Sequence, residues 1–155
     1  MRIGIDPGLT GALALLNDDS SISDLTDMPV VPLTGKRNQV NAVELSRIIK
    51  FWQTDNPKIT AFLEQVSAMP GQGVSSMFGF GVSFGIVRGV LAALGIPVVL
   101  ITPQKWKKRA GLIGQEKDYS RTIAQRLYPL ADLSLKKHTG RADALLIARF
   151  GGDNG

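Results

Sequence analysis

The sequence predicts an α/β layer structure, a mixed sheet of five strands flanked by helices. Short apolar segments separated by turn residues fill the first thirty positions, as a strand meander would. From there helix-like and strand-like segments alternate, giving the order β-β-β-α-β-α-β-α-α. The chain has 155 residues, of which 44% are hydrophobic, enough for one core and one domain over 1–155.

Each element has its own local reason. Arg2-Ile3-Gly4-Ile5-Asp6 alternates, with Ile3 and Ile5 on one face and Gly4 and Asp6 on the other. Pro7-Gly8 turns the chain into a second strand, Gly11 to Leu16, and Ile22 to Pro29 makes a third. Residues 30–39, with Pro32, Gly35, Lys36 and Arg37, read as a loop. Asn41 caps a helix from about Ala42 to Thr54, whose inner stripe is expected at Val43, Ile48, Phe51 and Trp52. Ile59 to Glu64 is a strand that places Ile59, Ala61 and Leu63 opposite Thr60, Phe62 and Glu64.

Phe78 to Ile101 is long and apolar enough to suggest a membrane span. Arg88 near its centre, costing about 2.5–3.5 kcal/mol in a bilayer, and the break at Gly95-Ile96-Pro97 argue against one. A buried helix over about 74–94 and a buried strand over 98–101 account for the stretch, with no membrane partner. Gly81, Gly85 and Gly89 line one side of that helix and predict a close helix contact, within the chain or across a dimer. After Thr102-Pro103 comes a basic segment, then helices over about 116–128 and 141–150.

The absence of cysteine excludes thiol catalysis, Cys-bound zinc, iron–sulfur clusters and disulfides. The first residues contain no signal-like apolar run, so a cytoplasmic location is expected. Net charge is +5, and it is uneven: residues 1–100 carry 7 basic and 8 acidic side chains, residues 101–155 carry 11 and 5. That basic last third suits a polyanion, although a solvated basic face would show the same count.

Three acids occupy otherwise apolar elements: Asp6, Glu64 and Asp143. Taken singly, Asp6 could serve its turn, Glu64 could face solvent and Asp143 could favour a helix dipole. Taken together, acids that would be costly to bury alone can converge on a cation, and oxygen ligands select a hard ion such as Mg2+ or Mn2+.

Ile3-Gly4-Ile5-Asp6-Pro7-Gly8 with Gly11, Leu63-Glu64-Gln65-Val66, Gly85-Ile86-Val87-Arg88-Gly89, Thr102-Pro103 with its lysines, and Ala142-Asp143-Ala144-Leu145-Leu146-Ile147-Ala148 together resemble the RuvC-type Holliday junction resolvases. The motifs keep the family order over residues 3–148, and the His-Thr-Gly-Arg-Ala-Asp form of the last is similar to that of bacteriophage and other viral members, which would place the chain in a host cytoplasm. The resemblance implies an RNase H-like fold, a homodimer, and paired symmetric nicking of four-way DNA junctions that leaves 5′-phosphate and 3′-hydroxyl ends. It assigns Asp6, Glu64 and Asp143 as metal-binding and catalytic acids, with Mg2+ or Mn2+, two ions per site. The fourth ligand of the family falls on Gly140, so His138 becomes the candidate for ligand or general base, ahead of Asp132. Lys105, Lys107, Lys108, Arg109 and Lys117 are then expected to grip DNA phosphates, with Lys105 or Lys107 nearest the cleaved one. Phe78 and Phe80 are the aromatics nearest the junction crossover, and Trp106 is expected to pack under the basic segment. An actin- or Hsp70-like ATPase would need far more chain. A broader branched-DNA or RNA-processing nuclease of the same fold, and a junction-binding protein without catalysis, stay as alternatives.

Overall fold

Alternation along the strands divides the core in two. In the computed structural model, which describes residues 1–35, 37–65 and 67–152, the main sheet contains β1 (Arg2–Asp6), β2 (Ala12–Leu16), β3 (Ile22–Asp27), β6 (Thr60–Glu64) and β7 (Val98–Ile101). Lys36 of the expected loop and Val66 of the Leu63–Val66 motif lie outside the described residues. The strand order is β3-β2-β1-β6-β7; β1 pairs antiparallel with β2 and parallel with β6, which in turn is parallel to β7. The sheet is mixed and five-stranded, as the element order predicts.

Ile3, Ile5, Leu13, Leu15, Ala61 and Leu63 face one core, shared with Leu45, Ile49 and Trp52 of α1 (Ala42–Thr54) and Val87 and Leu91 of α2 (Val74–Ala93). Ala12, Ala14, Leu16 and Phe62 face the other. That second core is completed by Trp106 of α3 (Pro103–Arg109), Ala124 of α4 (Tyr119–Leu127), and Ala142 with Ala144–Ala148 of α5 (Thr139–Phe150). Gly4 is required where α5 crosses β1: a Cβ there would run into the backbone of Ala144 and Ala148. Arg141 ties the start of α5 to the end of β3 through a forked ion pair with Asp27, at 2.6 and 2.9 Å.

Several expectations need correction. Residues 30–39 are not all loop, because β4 (Val30–Pro32) and β5 (Asn38–Val40) pair as an antiparallel hairpin. Asn41 does cap α1, its side chain accepting from Glu44 N at 3.1 Å. The buried stripe is Leu45, Ile49 and Trp52, however, while Val43 and Phe51 are exposed. The helix is rotated so that residues spaced i, i+4, i+7 meet the sheet. Strand β7 is an edge strand with Val99 and Leu100 exposed, not a buried one. The basic segment after Pro103 is itself a helix, started by Thr102, whose hydroxyl accepts from Lys105 N at 3.3 Å.

Helix α2 is the largest departure. Only Ser83, Val87 and Leu91 are buried, with Phe84, Ile86 and Val90 partly buried beside them, and Val74, Phe78 and Phe80 in the first turns are exposed. A Cβ on Gly81, Gly85 or Gly89 would meet nothing within 4 Å. The stripe therefore packs against no described part of this chain, and Phe78 beside it is 74% exposed.

Candidate active site

Asp6 and Glu64 close two neighbouring parallel strands. The register pairs Ile5 with Leu63, which sets the two carboxylates side by side at the carboxyl end of the sheet. Both belong to the face that α5 covers, and α5 brings Asp143 over them. The Gly8 amide donates to Asp6 Oδ1 at 3.1 Å, so the turn function of Asp6 coexists with its place in the cluster. The indole Nε1 of Trp106 donates to Glu64 Oε2 at 2.8 Å. Asp143 Oδ1 is buried and accepts no hydrogen bond.

The electrostatics show how close the acids are. Burial raises the pKa of Asp6 despite its hydrogen bond from Gly8 and the charges of Lys117 and Lys107. Burial and then the charge of Asp6 raise that of Glu64. For Asp143, burial is again the main cause; a hydrogen bond from Ser120 opposes it, the charges of Asp6 and Glu64 add to it, and the pKa rises to about 7. Lys107 opposes the shift at all three acids, and so is the ammonium group most closely associated with the cluster.

No three acidic or histidine side chains among the described residues form a closed cage for one ion as they stand. Proximity and openness agree: the carboxylates repel one another, and Glu64 is held by the indole. The donor set fits a hard divalent cation, being oxygen only, desolvated, and carrying one buried oxygen with no donor to satisfy it.

A cavity of about 550 Å³ opens over Asp6 and Asp143, with Lys117, Lys136, Lys137 and Thr139 on its wall. The structure thus brings Asp6, Glu64, Asp143, Lys107 and Lys117 together. Lys105 and Lys108 lie on the exposed side of α3. Sequence reasoning missed Lys136 and Lys137, for which only the basic excess of the last third was a signal. It also missed the bond from Trp106 to Glu64, since nothing in the pattern distinguishes a core tryptophan from one that reaches a carboxylate 42 residues away.

Three expected site residues are placed elsewhere. His138 is buried with its Nδ1 3.4 Å from the Leu135 amide and 3.4 Å from Asp132 Oδ1, and it does not line the cavity of the acids. Asp132 is exposed and is engaged by Arg141 and Ser134. Arg109 turns inward, its Nη1 donating to the carbonyls of Phe150, Gly151 and Gly152 at 2.9, 3.1 and 2.6 Å. Those carbonyls end α5 and need donors, so Arg109 acts as a helix cap. Gly140 cannot be replaced by a ligand, because a Cβ there would strike Thr10 O and the Gly11 backbone. Of the two aromatics, Phe80 lies closer to the site, with its ring edge 3.5 Å from where a Cβ on Gly8 would sit.

No family model matches the sequence. Among curated proteins, the chain is 37% identical over 92 residues to the chloroplastic Holliday junction resolvase MOC1 of Chlamydomonas reinhardtii, a match covering 57% of this chain. The chain spans a tenth of the length of that relative. Among solved structures it is similar to RuvC of Thermus thermophilus in complex with a Holliday junction substrate, with TM-score 0.66, 18% identity, and coverage of 95% of this chain and 88% of the other. It is similar also to a second Thermus thermophilus RuvC structure, with TM-score 0.59, 19% identity, and coverage of 95% and 90%. A mixed five-stranded sheet matched over nearly the whole chain settles the architecture: this chain has the fold of RuvC, the RNase H-like fold.

Proposed function

We propose that this chain is a divalent-metal-dependent DNA endonuclease that resolves four-way junctions as a homodimer, each copy nicking one of two opposed strands. The observation that carries the reading is the gathering of Asp6, Glu64 and Asp143, with an unsatisfied buried oxygen on Asp143, where Asp6 and Asp143 line a cavity together with Lys117, Lys136 and Lys137. Such a cluster is unfavourable until a cation neutralises it. Asp6, Glu64 and Asp143 would hold Mg2+ or Mn2+, and divalent ions in such sites activate water and stabilise the leaving oxygen.

The chain's own groups do the rest. Lys107 lies with its ammonium over the Trp106 ring, 5.3 Å from the centroid, where it can balance charge gathering on the scissile phosphate. Lys117, Lys136 and Lys137 give the DNA backbone a positive wall to follow, and Lys105 and Lys108 add exposed charge on α3. Hydrolysis in line would leave 5′-phosphate and 3′-hydroxyl ends. Phosphate grip of this kind carries no sequence information, and its strength falls steeply with salt.

The open glycine face of α2 supports the homodimer. A stripe without side chains lets a second helix approach closely, and Phe78 adds exposed apolar surface beside it. Two copies would present two clusters to one junction. The Holliday junction named for the relatives above supports the choice of substrate.

The test is cleavage of a labelled four-way junction, a replication fork, a flap and plain duplex, with Mg2+ or Mn2+ and with chelator. The reading predicts metal-dependent cutting that favours the junction. Equal cutting of fork and flap would leave a general branched-DNA nuclease, and tight junction binding without cutting would leave a binding protein.

A further inference from the structure

We infer that Trp106 is a positioning residue of the acid cluster, holding Glu64 through its indole N–H and Lys107 over its ring face. The inference rests on the metal-site reading above and deepens it. Trp106 is fully buried, so its indole N–H needs an acceptor inside the fold, and the one it has is Glu64 Oε2 at 2.8 Å. Glu64 has a flexible side chain at a strand end, facing two other carboxylates. The indole fixes one of its oxygens against their repulsion.

The same ring carries Lys107 Nζ at 5.3 Å from its centroid. One side chain therefore sets both an acidic and a basic member of the site. Its own support is rigid: α3 begins at a Thr102 cap with Pro103 in the first turn, and Ala110 N bonds back to Trp106 O at 2.9 Å. The chain supplies a reference for comparison, because Trp52 makes a similar bond to Asp24 Oδ2 at 2.7 Å, away from the cluster.

The experiment follows the two indole N–H resonances of the full-length protein during Mg2+ titration, and measures Mn2+ affinity by paramagnetic resonance for wild type and Trp106→Phe. The Trp106 signal should shift saturably while that of Trp52 stays in place. Trp106→Phe, which keeps a packed ring, should bind Mn2+ about tenfold more weakly, as loss of an outer hydrogen bond does at metal sites. It should need about tenfold more Mg2+ for half-maximal junction cleavage, recover its rate at saturating Mg2+, and bind junction without metal as wild type does.

Unchanged Mn2+ affinity and Mg2+ requirement in Trp106→Phe would overturn the inference. So would a loss of rate that excess Mg2+ does not restore, since that marks a purely structural role. A variant that fails to fold leaves the wild-type resonance to decide, and a Trp106 signal indifferent to Mg2+ counts against the inference. Wild type that binds no Mn2+ at all would remove the metal site itself, and the inference with it.

Discussion

At the scale of single residues, burying the three acids close together costs stability. Asp143 shows it most clearly, because burial and the charges of Asp6 and Glu64 push its pKa to about 7. The folded value lies above the unfolded one of 3.8, so as pH rises the unfolded chain releases this proton first. The penalty on folding is absent below the unfolded value and complete only above about pH 7. In the absence of divalent metal, Asp143→Asn should therefore stabilise the protein by about 2 kcal/mol at pH 8 and by clearly less at pH 5, while abolishing cleavage. Thermal melts at the two pH values check this, and equal effects at both would contradict it. Metal binding must displace the same proton, so Mn2+ affinity should rise between pH 6 and pH 8. The clustering of these acids was legible in the sequence because each interrupts an apolar segment. Histidine was not: His138 stands near the motif in sequence, but the short turn before α5 directs it towards Leu135 and Asp132.

At the scale of elements, two glycine positions should behave in opposite ways. Gly4→Ala inserts a Cβ into the α5 backbone and should cost about 3 kcal/mol or prevent folding, measured by denaturant unfolding. Gly89→Ala lies on an exposed helix face with open space, and should stabilise the fold by up to about 1 kcal/mol while weakening self-association in sedimentation. Similar separation is expected on α3. Lys107→Ala should lower the cleavage rate about a hundredfold or more with little change in melting temperature. Arg109→Ala should instead lower the melting temperature, because three carbonyls at the end of α5 lose their donor. The strands of the main sheet were legible because a period of two assigns faces without reference to the rest of the chain, whereas Pro32 and Gly35 disguised the short β4–β5 hairpin as a loop. The stripe of α1 was legible only in part: Ile48 and Trp52 do pack against the core, but Val43 and Phe51 are as apolar as Leu45 and Ile49, and only the angle at which the helix meets the sheet selects among them. Apolar composition likewise misled for α2 and β7: an edge strand and an outer helix keep apolar surface open that the sequence alone assigns to a core.

At the scale of the molecule, the sheet gathers acids at one end and the last third of the chain surrounds them with lysines. A divalent ion that binds only the folded cluster should raise the melting temperature, by an amount corresponding to about 2.7 kcal/mol at a hundred times its dissociation constant. Asp6→Asn should remove most of that rise. The most direct measurement labels both strand pairs of a four-way junction, maps every cut, and then treats the products with DNA ligase. A junction-resolving endonuclease should leave two nicks placed symmetrically on opposed strands, sealed by ligase because their ends are 5′-phosphate and 3′-hydroxyl, and lost in Asp6→Asn. Unpaired or unsealable cuts, or cutting by Asp6→Asn at the wild-type rate, would contradict that reading.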